Sequence, residues 1–215
     1  DWHIGRILQW LDEEKLTEDT MVGFTSDNGP EKTWKKRVEL YGHHSSGIYR
    51  EGKRSIYEGG HRVPFLVRWP AKVKPGSRWA GPVCQTDFLA TFADMIGKKL
   101  PDNAGEDSDS FYDILTGIKE TAPRGPMVSH GSQGRFAVRV GKWKLVMEDA
   151  RKNKRELYDL SSDPRETKNL ISEYPDIERE LASKLTALVN NGRSTPGKPQ
   201  KNDTPYWRDL VWMAK

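Results

Sequence analysis

The sequence predicts an α/β protein in two parts, with the boundary near residue 122. In the first part, apolar residues at helical spacing lead directly into a β-branched apolar segment, which indicates a helix followed by a buried strand. In the second part, short apolar segments alternate with glycine or charged turns, a pattern typical of an antiparallel sheet. The length of 215 residues fits two such parts, because single domains commonly have about 100–200 residues.

The first part, residues 1–122, contains two predicted helices and two predicted strands. Its helices are residues 2–14 and 87–96, and its strands are residues 20–25 and 64–69. Gly97 is the expected C-cap of the second helix. Residues 30–62 show no convincing period and predict a long loop. A loop of this length in a compact protein is usually functional.

The second part, residues 123–215, predicts a small sheet packed with one helix. Four short strands are expected at residues 127–129, 136–140, 143–147 and 156–160. Apolar residues then recur at helical spacing and predict a helix over residues 175–190. The segment from residue 191 onward is rich in Gly, Pro and Lys, and we expect an extended tail.

The composition favours neither a nucleic-acid partner nor a membrane partner. The net charge is +4, from 35 basic and 31 acidic residues, and the basic residues are scattered along the chain. No apolar run reaches the roughly 18 residues of a membrane span. Cys84 is the only cysteine, so we expect no intrachain disulfide and interpret it as a small buried residue. Cysteine usage leaves a periplasmic or secreted location and a cytoplasmic one equally open.

The segment Thr25-Ser26-Asp27-Asn28-Gly29-Pro30, directly after the first predicted strand, has two interpretations. Asp and Asn favour turns because they hydrogen-bond their own backbone, and Gly tolerates a positive φ. Their side-chain oxygens also suit a hard cation such as calcium at the end of a strand. Taken alone, these residues favour the turn.

The segment between Gly47 and Pro64 contains the other candidate residues. Its glycines allow the backbone to approach another group closely, and Lys53 follows one of them. The Lys53 ammonium could bind an oxyanion, although an ordinary surface lysine is the simpler interpretation. The pair His43-His44 lies in the same long loop and either contacts a substrate or is a surface pair.

Several motifs, in order, resemble the type I sulfatase family, the formylglycine-dependent, calcium-binding members of the alkaline phosphatase superfamily. They are Thr25 to Pro30, Gly52-Lys53, Tyr57 to Pro64, the segment Asp87-Phe88-Leu89-Ala90-Thr91 with Ala90 in place of the usual proline, Trp143-Lys144-Leu145, and Leu157-Tyr158-Asp159-Leu160. The resemblance implies part of an alkaline-phosphatase-like mixed sheet with flanking helices. It also identifies the chain as the C-terminal portion of a sulfatase.

The resemblance further implies a calcium-dependent sulfuric ester hydrolase. It makes Asp27 and Asn28 calcium ligands and Lys53 a catalytic contact to the substrate sulfate. His44 is a candidate substrate contact because of its place in the same loop. The nucleophile motif, Cys or Ser followed by x-Pro-x-Arg, does not occur. Formylglycine is therefore expected only in an N-terminal part outside the chain, and the chain alone is expected to be inactive.

Three functions remain open at this point. The first is part of a sulfatase acting on a small-molecule or carbohydrate sulfate ester. The second is a phosphodiesterase or phosphonate hydrolase of the same superfamily. The third is a non-catalytic module that binds sulfated glycans. For the sulfatase interpretation, we expect the chain to form a homo-oligomer or to bind a complementing N-terminal chain, because missing strands would expose apolar faces.

Overall fold

The computed structural model describes residues 1–121, 124–149, 154–203 and 208–213. Its helices are α1 (Trp2–Glu13), α2 (Trp34–Tyr41), α3 (Glu58–His61), α4 (Phe88–Met95), α5 (Tyr112–Leu115) and α6 (Pro175–Asn191). Its strands are β1 (Val22–Thr25), β2 (Phe65–Arg68), β3 (Met127–His130), β4 (Phe136–Val140), β5 (Trp143–Val146) and β6 (Glu156–Asp159). Short 3-10 helices occupy Gln85–Asp87 and Val211–Met213. The α/β class is confirmed, and each strand and long helix predicted from the sequence is present.

The first part is built on a two-stranded antiparallel ribbon. β1 pairs with β2, and Phe24 lies opposite Leu66. Both side chains are exposed, as are Trp2 and Trp10 of α1. The ribbon therefore leaves apolar surface uncovered within the described residues.

The prediction of a long loop over residues 30–62 is wrong in part, because this segment contains α2 and α3. α2 is rich in charged residues and has no buried side chain, so it shows no apolar period in the sequence. α3 has only four residues, two of them glycine, and its sequence gives no helical signal. The end of α4 also differs slightly from the prediction. Ile96 is its C-cap, and Gly97 is the left-handed residue that follows, with φ 63°.

The second part is a four-stranded antiparallel sheet in the order β3-β4-β5-β6, which covers the predicted strands. One face packs against α6. Its buried core consists of Val138, Leu145, Met147, Leu157, Leu181, Ala182, Leu185 and Trp212. This arrangement follows from the alternation of side chains along each strand and the apolar stripe of α6.

The opposite face of this sheet packs against the segment that precedes α3. A second buried cluster joins Ile56 and Tyr57 to sheet residues on this face, among them Ala137, Val146 and Tyr158. The sheet is therefore covered on both faces, by α6 on one side and by residues of the first part on the other. This contact fixes the position of the segment that carries Lys53.

Two further expectations differ from the structure. Cys84 is half-buried rather than buried. The tail does not simply extend away from the protein, because the Gln200 N–H donates to the Asn191 carbonyl at 2.8 Å and Trp212 returns to the core. The predicted domain boundary, at residues 122 and 123, lies outside the described residues. In the described part of the chain, no helix is long and apolar enough to cross a membrane.

Candidate active site

The turn after β1 leaves the Asp27 carboxylate available for a further partner. The Ser26 hydroxyl makes the hydrogen bond that closes this turn, donating to the Asn28 carbonyl at 2.9 Å. The Asp27 side chain is exposed, and among the described residues its one side-chain contact is the same hydroxyl, at 3.5 Å. The turn interpretation and the ligand interpretation are therefore compatible.

Gly29 is required by close approach to α3 and not by a left-handed backbone. Its N–H donates to the Gly60 carbonyl at 2.9 Å. A Cβ at this position would lie 1.8 Å from the Gly59 carbonyl oxygen. The turn therefore lies in direct contact with the backbone of α3, and any side chain at residue 29 would separate the turn from α3.

Gly52 and Lys53 join the same assembly from the other side. The Lys53 N–H donates to the Pro30 carbonyl at 2.9 Å. A Cβ on Gly52 would lie 2.7 Å from the same carbonyl oxygen. These two contacts bring the backbone of Lys53 next to the turn that contains Asp27.

The residues on either side of Gly52-Lys53 have an unfavourable backbone conformation. Glu51 has φ 62° and Arg54 has φ 74°, both in the left-handed region although neither is glycine. The Arg54 carbonyl is held by two hydrogen bonds from Ser132, one from its N–H at 3.1 Å and one from its hydroxyl at 3.2 Å. Such strain persists only where surrounding contacts fix it, and it is common at functional sites.

Glu31 neutralises the two cations of this loop. Its carboxylate lies 3.4 Å from the Lys53 ammonium and 3.2 Å from the Arg54 guanidinium. The pKa of Glu31 is lowered, mainly by a hydrogen bond from the Lys32 N–H and further by Lys53 and Arg54, against a smaller opposing effect of desolvation. An anion that binds Lys53 would therefore compete with Glu31. Sequence reasoning missed this residue, since nothing in the local pattern pairs it with Lys53.

The structure does not bring His44 to Lys53 through any described contact. His43 and His44 are both exposed in the segment after α2, and the His44 carbonyl accepts a hydrogen bond from the Gly47 N–H at 2.9 Å. A substrate contact at His44 stays a prediction.

Lys144, Glu58 and Glu166 form a buried ion cluster at the start of α3. The Lys144 ammonium is 3.0 Å from the Glu58 carboxylate and 2.8 Å from the Glu166 carboxylate. The three side chains are 3% exposed or less. Sequence reasoning missed the cluster, because 86 positions separate Glu58 from Lys144 and 108 separate it from Glu166.

The pKa values of the two carboxyl groups in this cluster shift in opposite directions. Burial opposes the ionisation of Glu58, but the hydrogen bond from His61 and the Lys144 charge outweigh it and hold the Glu58 pKa well below its ordinary value. For Glu166, burial is the larger effect and raises the pKa although Lys144 lies beside it.

The donor chemistry at the turn suits part of a calcium shell. Asp27 and Asn28 supply a carboxylate and an amide oxygen, the ligand types that hard cations prefer. Within the described ranges, no group of three or more His, Cys, Asp or Glu side chains is arranged to hold a metal ion. Calcium takes roughly six to eight oxygen ligands, so these two residues would be a minority of its shell.

Comparison with known proteins identifies the family. Residues 46–191 match the family model described as the C-terminal part of N-sulphoglucosamine sulphohydrolase. The chain is 38% identical over 205 residues to an N-acetylgalactosamine-6-O-sulfatase of Bacteroides thetaiotaomicron, covering 87% of this chain and 40% of the relative. The chain belongs to the sulfatase family of the alkaline phosphatase superfamily, and it corresponds to the C-terminal part of those enzymes.

Solved structures agree with this assignment. A protein from a study of glycosaminoglycan metabolism by Bacteroides thetaiotaomicron superposes with a TM-score of 0.76 and 37% identity, covering 87% of this chain and 42% of that one. A second protein, solved with its substrate D-glucosamine-2-N,6-O-disulfate, has a TM-score of 0.68 and 26% identity, over 86% of this chain and 37% of that one. The chain thus spans about 40% of the length of the curated sulfatase it matches.

Proposed function

We propose that this chain supplies the calcium-binding turn and the sulfate-binding lysine of a sulfuric ester hydrolase. The observation that carries the proposal is the juxtaposition of the Asp27-Asn28 turn and Lys53. Two backbone hydrogen bonds produce it, from Gly29 to Gly60 and from Lys53 to Pro30, each at 2.9 Å. Neither loop has an evident purpose in a plain binding module.

In this proposal, Asp27 and Asn28 would hold calcium with ligands from outside the chain. Bound calcium would stabilise the negative charge that develops on the sulfate oxygens as the ester bond breaks. The Lys53 ammonium binds a sulfate oxygen of the substrate. The substrate either displaces the Glu31 carboxylate from this ammonium or shares the ammonium with it. Glu31 keeps the ammonium near the turn until the substrate arrives.

The substrate class we propose is a sulfated sugar. Support comes from the relative named as an N-acetylgalactosamine-6-O-sulfatase and from the neighbour solved with D-glucosamine-2-N,6-O-disulfate. The chain contains no Cys or Ser followed by x-Pro-x-Arg. We therefore expect hydrolysis only when the formylglycine-bearing part is also present.

Calorimetric titration of calcium into the complete enzyme, which contains the remaining ligands, tests the metal part of the proposal. Wild type should bind calcium, Asp27→Ala should lose most of the affinity, and Asp19→Ala should bind as wild type does. Asp19 is a suitable control because it is an exposed aspartate in the same part of the chain. Equal binding by the two variants would contradict a ligand role for Asp27.

Activity of the complete enzyme tests the reaction. Sulfate esters should be hydrolysed in preference to matched phosphate and phosphonate esters, and Lys53→Met should reduce kcat/KM by about a hundredfold or more. A preference for phosphonate would favour the other branch of the superfamily. Saturable binding of a sulfated glycan without calcium and without hydrolysis would favour a binding module.

A further inference from the structure

Glu58 connects the C-terminal sheet to the backbone of α3. It is the first residue of α3, and its N–H donates to the Glu166 carboxylate at 2.6 Å. Its own carboxylate accepts from Lys144 of β5 at 3.0 Å. Arg62, at 3.2 Å, and His61, at 3.3 Å, also contact this carboxylate. Lys144 is the buried cation that joins Glu58 to Glu166.

The same short helix holds the candidate active-site loops together. The Gly60 carbonyl accepts from the Gly29 N–H, which fixes the Asp27 turn, and the Gly59 N–H donates to the Arg50 carbonyl, which fixes the start of the Lys53 loop. Each bond is 2.9 Å long. A displacement of α3 would therefore move both loops.

Glu166 is held in a backbone conformation that favours glycine or asparagine. Its φ is 55°, although it is a buried glutamate. Its carbonyl accepts from the Arg50 guanidinium at 3.0 Å, in addition to the contacts of its carboxylate. Strain of this kind persists where the side chain has a specific task.

We propose that Lys144, Glu58 and Glu166 are positioning residues for the active site. The cluster fixes α3 against the C-terminal sheet, and α3 sets the separation between the Asp27 turn and Lys53. The C-terminal sheet thereby determines the geometry of a site to which it contributes no ligand. The effect on an active site rests on the proposed function, whereas the test of the contact between α3 and the sheet does not.

Amide hydrogen exchange, followed residue by residue by NMR on the full chain, tests the proposal. In Lys144→Met, the Gly29 and Lys53 amides should exchange on the order of a hundredfold faster than in wild type. The reason is that α3 can then move away from the sheet without breaking the buried ion pair between Lys144 and Glu58. Arg155→Met is the matched control, since Arg155 pairs with Glu148 and with Glu178 of α6. Arg155→Met should lower the free energy of unfolding without accelerating exchange of the Gly29 and Lys53 amides. Equal acceleration in both variants, or none in Lys144→Met, would overturn the proposal.

Substitutions at Glu166 provide a second test that does not remove Lys144. Glu166→Ala should accelerate exchange at Gly29 and Lys53. Glu166→Gln keeps an oxygen acceptor for the Glu58 N–H and should restore most of the protection. The two variants have the same backbone strain, so equal exchange in both would contradict positioning through this hydrogen bond.

The exchange result can be separated from the proposed function. Exchange needs neither calcium nor substrate, so the expected pattern supports the positioning role even if the chain binds no calcium. Conversely, calcium binding that depends on Asp27, together with unchanged exchange in Lys144→Met, would overturn the positioning role alone.

Discussion

The Gly29 N–H donates to the Gly60 carbonyl at 2.9 Å, and this bond joins the end of β1 to α3. This approach requires glycine at residue 29, since a Cβ there would lie 1.8 Å from the Gly59 carbonyl oxygen. Gly59 and Gly60 are required by the Lys53 loop, because a Cβ on them would lie 2.3 Å from the Glu51 carbonyl oxygen and 2.2 Å from that of Ser55. The candidate active site therefore depends on backbone contact between segments that are distant in the sequence.

Gly29→Ala should destabilise the protein and displace the Asp27 turn. The new Cβ would lie 1.8 Å from the Gly59 carbonyl oxygen, and overpacking of this kind costs about 1–3 kcal/mol or more. Gly23→Ala in β1 is the matched control, because a Cβ there meets nothing within 4 Å. Thermal unfolding of both variants should show a loss in the first only. Equal Tm values would contradict the close approach.

Lys144→Met should lower the free energy of unfolding by about 3–5 kcal/mol, because it removes the buried cation that lies between Glu58 and Glu166. Lys184→Met is a control with the same chemical change. Lys184 forms an exposed pair with Glu180 at 3.6 Å, and such pairs contribute about 0–1 kcal/mol. Urea denaturation of the two variants measures the difference. A small effect of Lys144→Met would show that the cluster relaxes without cost.

Asp159 should make the protein sensitive to acid. The Lys142 ammonium, at 2.7 Å, and the Ser161 hydroxyl lower its pKa from 3.8 to about 2. The folded state binds this proton less readily than the unfolded state, so its stabilising contribution is complete above about pH 4 and is lost as the pH falls towards 2. Asp159→Asn should therefore show a smaller fall in the free energy of unfolding between pH 4 and pH 2, measured by urea denaturation. An unchanged fall would contradict the lowered pKa.

Trp212→Ala should destabilise the protein by about 3–5 kcal/mol, the usual cost of removing a buried aromatic side chain. Trp212 is 8% exposed in the core beside α6, and its indole N–H donates to the Thr186 hydroxyl at 3.1 Å. Trp2→Ala is the control, since Trp2 is 67% exposed. If both variants unfold like wild type, the tail contributes nothing to the core.

The sequence by itself determined the regular elements whose residues repeat with a clear period. The helix near the N-terminus, the strands and α6 each follow from local apolar spacing, because one face of each element must be buried. The ordered motifs also identify the sulfatase family. Local patterns were sufficient here because each signal lies within a short segment.

The tertiary structure decided which distant residues meet. α2 has no buried side chain, so its sequence shows no apolar period that would predict a helix. The Lys144 cluster forms only when the sheet packs against the segment before α3. The contact between Lys53 and Glu31 forms only when the Lys53 backbone meets the turn after β1. The need for glycine at residue 29 likewise comes from the neighbouring backbone and not from its own φ. Such contacts depend on the packing of whole elements, and no local pattern in the sequence specifies them.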